Sequence, residues 1–109
     1  MLEDVVREID PLEAKKQIDA GAAVLIDVRE SQEYAAARIA GSTLVPLSAF
    51  DPAAHAHLKG KQVIVHCQMG GRSLRAAQAL APLLGAANVR SMAGGLNAWQ
   101  ALGLPVARG

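Results

Sequence analysis

Residues 63–73 constrain the fold more than any other stretch, because they combine an apolar run, the chain's one cysteine and a glycine pair. The β-branched run at residues 63–65 predicts a buried strand. Cys67 and the glycines follow, and the apolar periodicity from Ser73 to Leu84 predicts a helix. A strand, a glycine-containing loop and a helix N-terminus together direct backbone N–H groups at one anion. The sequence therefore predicts an anion-binding loop with a thiol at its base.

Cys67 is the candidate nucleophile of this loop. A free thiol has a pKa of about 8.5, so only a few per cent is thiolate at neutral pH. A helix N-terminus and a nearby guanidinium both favour the anion, so we expect this setting to lower the pKa of the thiol. The alternative is an inert core thiol, since free cysteines are among the most buried residues. The glycine, arginine and serine residues that follow Cys67 favour the reactive thiol.

The residues after Cys67 have separate predicted roles. Arg72 offers a permanent charge and a bidentate donor for an oxyanion such as thiosulfate or phosphate. Gly70 and Gly71 let the backbone curl tightly, including at positive φ. Ser73 either caps the helix or brings a hydroxyl donor near the sulfur. The predicted substrate-binding loop consists of Gln68, Met69, Gly70, Gly71, Arg72 and Ser73.

The rest of the chain alternates predicted strands and helices, which indicates an α/β fold with a mainly parallel sheet between helices. A helix is expected from Asp10, with its carboxylate at the N-cap and a proline at the first position. We expect Ser31 to cap a second helix over residues 32–37, and Pro82 to kink or end the helix after the loop. Further strands are predicted at residues 5–9, 23–28, 42–45 and 88–90.

Other polar residues have predicted structural roles. A carboxylate beside a thiolate would raise the pKa of the thiol, so Asp27 and Arg29 are expected to brace a strand end instead. Neighbours on a strand point to opposite faces, which argues against activation of Cys67 by His66. His55 and His57 do not share a helix face and have no third ligand nearby, so we expect surface histidines and no metal site. Arg75 either helps to hold an anion near the loop or is a solvated charge, and Trp99 is expected in the core.

Several segments, in their order along the chain, resemble the rhodanese-like family of sulfurtransferases, which carry sulfane sulfur as a cysteine persulfide. Cys67 is followed by four residues and an arginine, which matches the family's catalytic loop in length. Three other segments match. Residues 25–30 contain the family's D-x-R pattern, and residues 92–106 contain its G-G…W…G-x-P-V pattern. Residues 38–42 correspond to the segment that the family usually writes H-I-P-G-A, with Arg38 in place of the histidine and Ala40 in place of the proline. The resemblance implies the rhodanese fold, a three-layer sandwich with a mainly parallel central sheet flanked by helices.

The resemblance to this family implies a two-step sulfur transfer as the activity. The Cys67 thiolate attacks the outer sulfur of a donor such as thiosulfate, and sulfite leaves. Loop amides hold the persulfide, and an acceptor thiol or cyanide then removes the outer sulfur. Cys67 is thus the predicted catalytic residue, Asp27 and Arg29 are structural support, and no metal or organic cofactor is required.

Two other classes of protein remain as alternatives. A cysteine-dependent phosphatase or arsenate reductase would have five residues between cysteine and arginine, whereas only four separate Cys67 from Arg72. The shorter loop favours a single sulfur atom over a tetrahedral phosphate. A catalytically idle binding module of the same fold would need neither the cysteine nor the arginine.

Length and composition limit the remaining possibilities. The 109 residues predict one domain over residues 1–109. Eleven basic and ten acidic residues give a net charge of +1, which argues against nucleic acid as the main partner. We expect no membrane partner, because no apolar run approaches about 18 residues and the N-terminus lacks the regions of a signal peptide. One cysteine favours a reducing cytoplasm, and the few aromatic residues favour a monomer.

Overall fold

Five parallel strands form the central sheet of the computed structural model, which describes residues 5–109. Numbered along the chain, their spatial order is β1 (Arg7–Ile9), β6 (Val89–Met92), β5 (Val63–His66), β2 (Val24–Asp27) and β4 (Thr43–Leu44). All neighbouring pairs are parallel. A small antiparallel pair joins β3 (Ala37–Arg38) to β7 (Ala107–Arg108). Because β5 is the middle strand, Cys67 lies at the centre of the sheet's carboxyl edge.

Helices cover both faces of this sheet. They are α1 (Pro11–Asp19), α2 (Ser31–Ala36), α3 (Gly71–Leu84) and α4 (Gly95–Ala101), with 3₁₀ turns at Leu47–Ala49, Pro52–Leu58 and Ala86–Asn88. None of the helices within residues 5–109 has the length and apolar character needed to span a membrane.

Two apolar clusters lie between the sheet and the helices. Val63 and Val65 of β5 pack in one cluster with Leu80 of α3. Ile64, which alternates with them along the strand, packs in the other cluster with Trp99 of α4. The prediction of a mainly parallel sheet flanked by helices is therefore confirmed, as is the burial of Trp99.

The first helix begins as its sequence predicts, and the second does not. The Asp10 carboxylate accepts a hydrogen bond from the Glu13 amide at 2.9 Å at the start of α1. In α2, the prediction that Ser31 is the N-cap is wrong, because Glu30 holds that position and Ser31 is already helical. The Glu33 carboxylate accepts a hydrogen bond from the Glu30 amide at 3.0 Å, which satisfies a donor at the helix start.

The helix after the loop corrects the expectation for Pro82. The helix α3 runs through Pro82 to Leu84, so the prediction that the proline ends the helix early is wrong. The bond that proline cannot donate would have gone to the carbonyl of Gln78, which is an exposed residue. The Gly85 amide then donates to the Ala81 carbonyl at 2.8 Å and ends the helix. A proline in the last turn therefore costs this helix only one bond on its exposed side.

Candidate active site

The sulfur of Cys67 lies at the base of a loop whose amides converge on it. The Gly70 amide donates to Cys67 Sγ at 3.0 Å and the Ser73 amide donates to it at 3.3 Å. Ser73 Oγ lies 3.4 Å from the same sulfur. These donors come from the loop and from the first turn of α3, so the strand–loop–helix order of the sequence is what assembles them. Such a set of donors can stabilise a negative charge on sulfur.

Competing effects set the pKa of the Cys67 thiol. Burial raises it, since the thiolate loses solvation. Hydrogen bonds from the Ser73 hydroxyl and from the Ser73 and Gly70 amides lower it by more, so the pKa lies below its ordinary value. The site therefore holds a larger fraction of thiolate at neutral pH than a free cysteine would.

Ser73 contributes to the site as a neighbour of the sulfur and not as the helix cap. The N-cap of α3 is Gly70, which has a φ of +114°. Ser73 stands in the first turn, where Oγ lies 3.1 Å from the Gly70 carbonyl oxygen and 2.7 Å from Ser91 Oγ, so its single proton can turn toward more than one partner. Of its two predicted roles, capping is therefore wrong, and the hydroxyl beside the sulfur is what the structure has.

The glycine turn before α4 and the first residues of α4 support the loop. The amides of Leu96 and Asn97 donate to the carbonyls of Cys67 and Gln68 at 2.8 and 3.0 Å. A Cβ atom on Gly70 would lie 3.3 Å from the Gly94 amide nitrogen, so the loop and this turn are in close contact. Because α4 takes the loop carbonyls, the loop amides are left to face the sulfur. The sequence indicates a glycine turn at this position, but nothing local to it shows what the turn supports.

Asp27, Arg29 and His66 form a buried polar cluster beneath the loop. Arg29 donates to Asp27 from Nε at 3.1 Å and from Nη2 at 2.8 Å. Its Nη1 donates to Gln68 Oε1 at 3.1 Å, and Gln68 Nε2 donates to Asn97 Oδ1 at 2.6 Å. The predicted brace thus reaches from the strand end into the loop itself. The sequence does not indicate Asn97 as a site residue, because its contact with the site is to Gln68, which is 29 positions away.

The imidazole of His66 contacts the Asp27 carboxylate and the backbone of Cys67. His66 Nε2 lies 3.4 Å from Asp27 Oδ2, and Nδ1 lies 3.3 Å from the carbonyl oxygen of Cys67. Burial lowers the pKa of His66, and the Asp27 carboxylate raises it by less, so His66 is neutral at pH 7. A neutral, buried imidazole on this side of the strand is placed to pack and not to take the thiol proton.

Arg72 is engaged by a residue that the sequence did not indicate. Its Nη1 and Nη2 donate to Glu33 Oε1 and Oε2, both at 2.8 Å. Arg72 and Arg75 line the shallow depression above the sulfur, together with Cys67, Gln68, Met69 and Gly71, and this set is called the active-site depression below. Arg72, which the sequence predicts to bind an oxyanion, therefore lies at the site with its guanidinium paired to the Glu33 carboxylate.

The histidine pair lies away from the loop. His55 stacks on Phe50 with ring centroids 5.7 Å apart, and His57 is exposed. Within residues 5–109, no three His, Cys, Asp or Glu side chains come together as ligands for a metal ion.

Known proteins are similar to this chain in sequence and in fold. The family model of the Rhodanese-like domain matches residues 10–102. A thiosulfate:glutathione sulfurtransferase of Homo sapiens is 32% identical over 101 residues, covering 80% of this chain and 87% of that protein. An uncharacterized protein of Synechocystis sp. is 34% identical over 97 residues, covering 89% of this chain and 52% of that protein. The chain therefore spans about half the length of that relative.

Among solved structures, a rhodanese-related protein of Thermoplasma volcanium superposes with a TM-score of 0.81 at 30% identity. The superposition covers 93% of this chain and 97% of that one. The family match extends over most of the chain and includes both the loop around Cys67 and the turn that supports it. The chain therefore belongs to the rhodanese-like domain family.

Proposed function

We propose that the protein is a sulfurtransferase that moves sulfane sulfur from a donor such as thiosulfate to a thiophilic acceptor through a persulfide on Cys67. The observation that carries the proposal is the convergence of the Gly70 and Ser73 amides on Cys67 Sγ, at 3.0 and 3.3 Å. The same donors that favour a thiolate favour a persulfide anion, because both are small sulfur anions. Sulfurtransferase relatives add support at the level of the family.

In the first step, the Cys67 thiolate attacks the outer sulfur of thiosulfate. A sulfur–sulfur bond forms at Sγ while the sulfur–sulfur bond of the donor breaks, and sulfite leaves with the bonding electron pair. The charge is the same before and after, so no proton or electron has to enter the site. We propose that the loop amides over residues 68–72 hold the outer sulfur.

In the second step, an acceptor removes the outer sulfur. Cyanide attacks it to give thiocyanate, or a thiolate attacks it to give an acceptor persulfide, and Cys67 leaves as the thiolate. The lowered pKa of Cys67 helps here also, because a more stable thiolate is a better leaving group. The acceptor thiol is either a small molecule or a protein.

Two other functions are disfavoured by specific observations. A cysteine-dependent phosphatase needs room for a tetrahedral phosphate, and in this chain only four residues separate Cys67 from Arg72. The Arg72 guanidinium is also paired with Glu33, so a phosphate dianion would have to displace that carboxylate to reach it. An idle binding module would have no use for backbone amides that converge on a thiol.

The setting of the reaction is part of the proposal. The cysteine carries the sulfur covalently, so neither a metal nor an organic cofactor is needed. A net charge of +1 gives nucleic acid no strong attraction, and a lone reactive thiol is best preserved in the reducing cytoplasm. We propose that this domain works as a monomer without a membrane partner.

The intact mass of the protein after incubation with thiosulfate tests the proposal, with Cys67→Ser as the control. We expect the wild type to gain one sulfur atom, cyanide to remove it and the variant to gain none. An adduct formed only with another persulfide donor would keep the chemistry and change the donor. No adduct with any donor would refute the sulfurtransferase and favour the binding module.

A further inference from the structure

The charge at the active-site depression is set by an ion pair between two distant parts of the chain. Glu33 stands in the first turn of α2, and Arg72 stands in the first turn of α3. Both oxygens of the carboxylate accept from the guanidinium at 2.8 Å, which is the bidentate geometry of the strongest such pairs. About a third of each side chain is exposed, at 31% and 33%, and Arg72 lines the active-site depression.

Glu33 is itself held in place. Its Oε1 also accepts a hydrogen bond from the Glu30 amide at 3.0 Å, and its carbonyl accepts one from Arg29 Nη1 at 3.3 Å. The hydrogen bonds from Arg72 are the main reason that the pKa of Glu33 falls to about 2. Glu33 is therefore ionised throughout the neutral range and offsets the charge of Arg72.

Arg75 is the other cation at the active-site depression. It is exposed, and within residues 5–109 no carboxylate pairs with it. Arg72 and Glu33 cancel, so one positive charge remains beside Cys67. A donor with two negative charges must either draw Arg72 away from Glu33 or bind beside an uncompensated carboxylate. A donor with one negative charge needs only the loop amides and Arg75.

We propose that Glu33 is a specificity-determining residue that disfavours doubly charged sulfur donors and favours singly charged ones. This inference rests on the proposed function, since it concerns the donor of that reaction. Thiosulfate and methanethiosulfonate compare the two cases well, because each carries its transferable sulfur on a sulfonyl group and they differ by one charge. Attack by Cys67 on the outer sulfur releases sulfite from the first and methanesulfinate from the second.

Binding to unreactive protein tests the inference without any turnover. In Cys67→Ser protein, we expect Glu33→Gln to tighten thiosulfate binding about fivefold at low salt, and methanethiosulfonate binding less than twofold. A glutamine at position 33 can still accept the hydrogen bond from the Glu30 amide, so the start of α2 is retained. Glu30→Gln is the matched control, because it removes one charge from the same helix while its side chain contacts Ser48 and not Arg72. Calorimetric titration at two salt concentrations measures these affinities, and Glu33→Asp, which keeps the charge, should not produce the tightening.

The results separate this inference from the proposed function. Selective tightening of thiosulfate binding by Glu33→Gln, absent in the Glu30→Gln control, supports the role of Glu33. Unchanged thiosulfate affinity, or equal tightening for both donors, overturns it. Intact mass of the same variants with Cys67 restored reports sulfur loading separately. If neither donor loads sulfur onto Cys67, the transfer reaction is refuted. The binding measurements still test the role of Glu33 in that case.

Discussion

Gly95 lies directly against Cys67: a Cβ atom placed on Gly95 would be 2.5 Å from the carbonyl oxygen of Cys67. The same atom would be 2.6 Å from the carbonyl oxygen of Gln68. Gly95 also has a φ of +59°, which a residue with a side chain rarely adopts. The start of α4 can therefore approach the loop only if residue 95 has no side chain. The geometry of the active site depends on a residue that takes no part in its chemistry.

The first prediction is that Gly95→Ala disrupts the protein far more than an ordinary glycine substitution. Backbone strain and the contact with two carbonyl groups together should cost about 3 kcal/mol or more in the free energy of unfolding. Gly103→Ala is the control, because Gly103 has a φ of +74° and nothing within 4 Å of a Cβ atom. It should cost about 1 kcal/mol. Urea denaturation measures both, and equal losses would show that the contact with Cys67 does not matter.

Much of the fold follows from local patterns in the sequence. The alternation of Val63, Ile64 and Val65 between two apolar clusters is the alternation that a buried strand requires. The Asp10 cap depends on residues within one turn of each other. Such features are predictable because the interaction partners are close in sequence.

The features that could not be predicted join residues far apart in the chain. Glu33 and Arg72 are separated by 39 positions, and neither residue's neighbours indicate the other. The strands β3 and β7 have two residues each, too few to show a period, and they form because distant segments of the chain meet. Glu30 displaced Ser31 as the cap of α2, a choice between adjacent residues that propensity alone does not decide.

The second prediction concerns the hydroxyl beside the sulfur. Ser73→Ala removes the oxygen 3.4 Å from Cys67 Sγ and keeps the two amide donors. The pKa of Cys67 should rise, because one of the interactions that lower it is lost. The rate of alkylation by iodoacetamide should then reach half its maximum at a higher pH and be slower at neutral pH. Ser42→Ala, which removes a hydroxyl bonded to the Ile39 carbonyl, should leave the profile unchanged. An unshifted profile for Ser73→Ala would contradict this account.

The third prediction concerns the buried pair of Asp27 and Arg29. Arg29→Met leaves the Asp27 carboxylate without a cation in a fully buried position, which should cost about 3–5 kcal/mol in the free energy of unfolding. Arg75→Met changes the same groups at an exposed position and should cost less than about 0.5 kcal/mol. Replacing both members, as Asp27→Leu with Arg29→Met, should recover part of the loss. If Arg29→Met lowered the free energy of unfolding as little as Arg75→Met does, the pair of Asp27 and Arg29 would not support the strand end.

The fourth prediction is a loss of stability on acidification that originates at His66. Its pKa is lowered in the folded protein, chiefly by burial, while the unfolded chain titrates near the ordinary value of 6.5. Below that value the unfolded state binds more protons than the folded state, so the free energy of unfolding falls as the pH falls. The fall continues down to the pKa of the folded protein, with a limiting slope of about 1.4 kcal/mol per pH unit.

The range from pH 7 to pH 5 isolates the titration of His66. The carboxyl of Glu33, whose pKa is also lowered in the folded protein, titrates only from its ordinary value of 4.5 downward. Asp27 and Arg29 face His66 from β2 and from the residues after it, and act in opposite directions on its proton. Urea denaturation across this range should show the slope in the wild type and in His57→Asn, whose histidine is exposed. His66→Asn should be nearly flat, since it removes the titrating group. A slope that persisted in His66→Asn would assign the acid sensitivity to another residue.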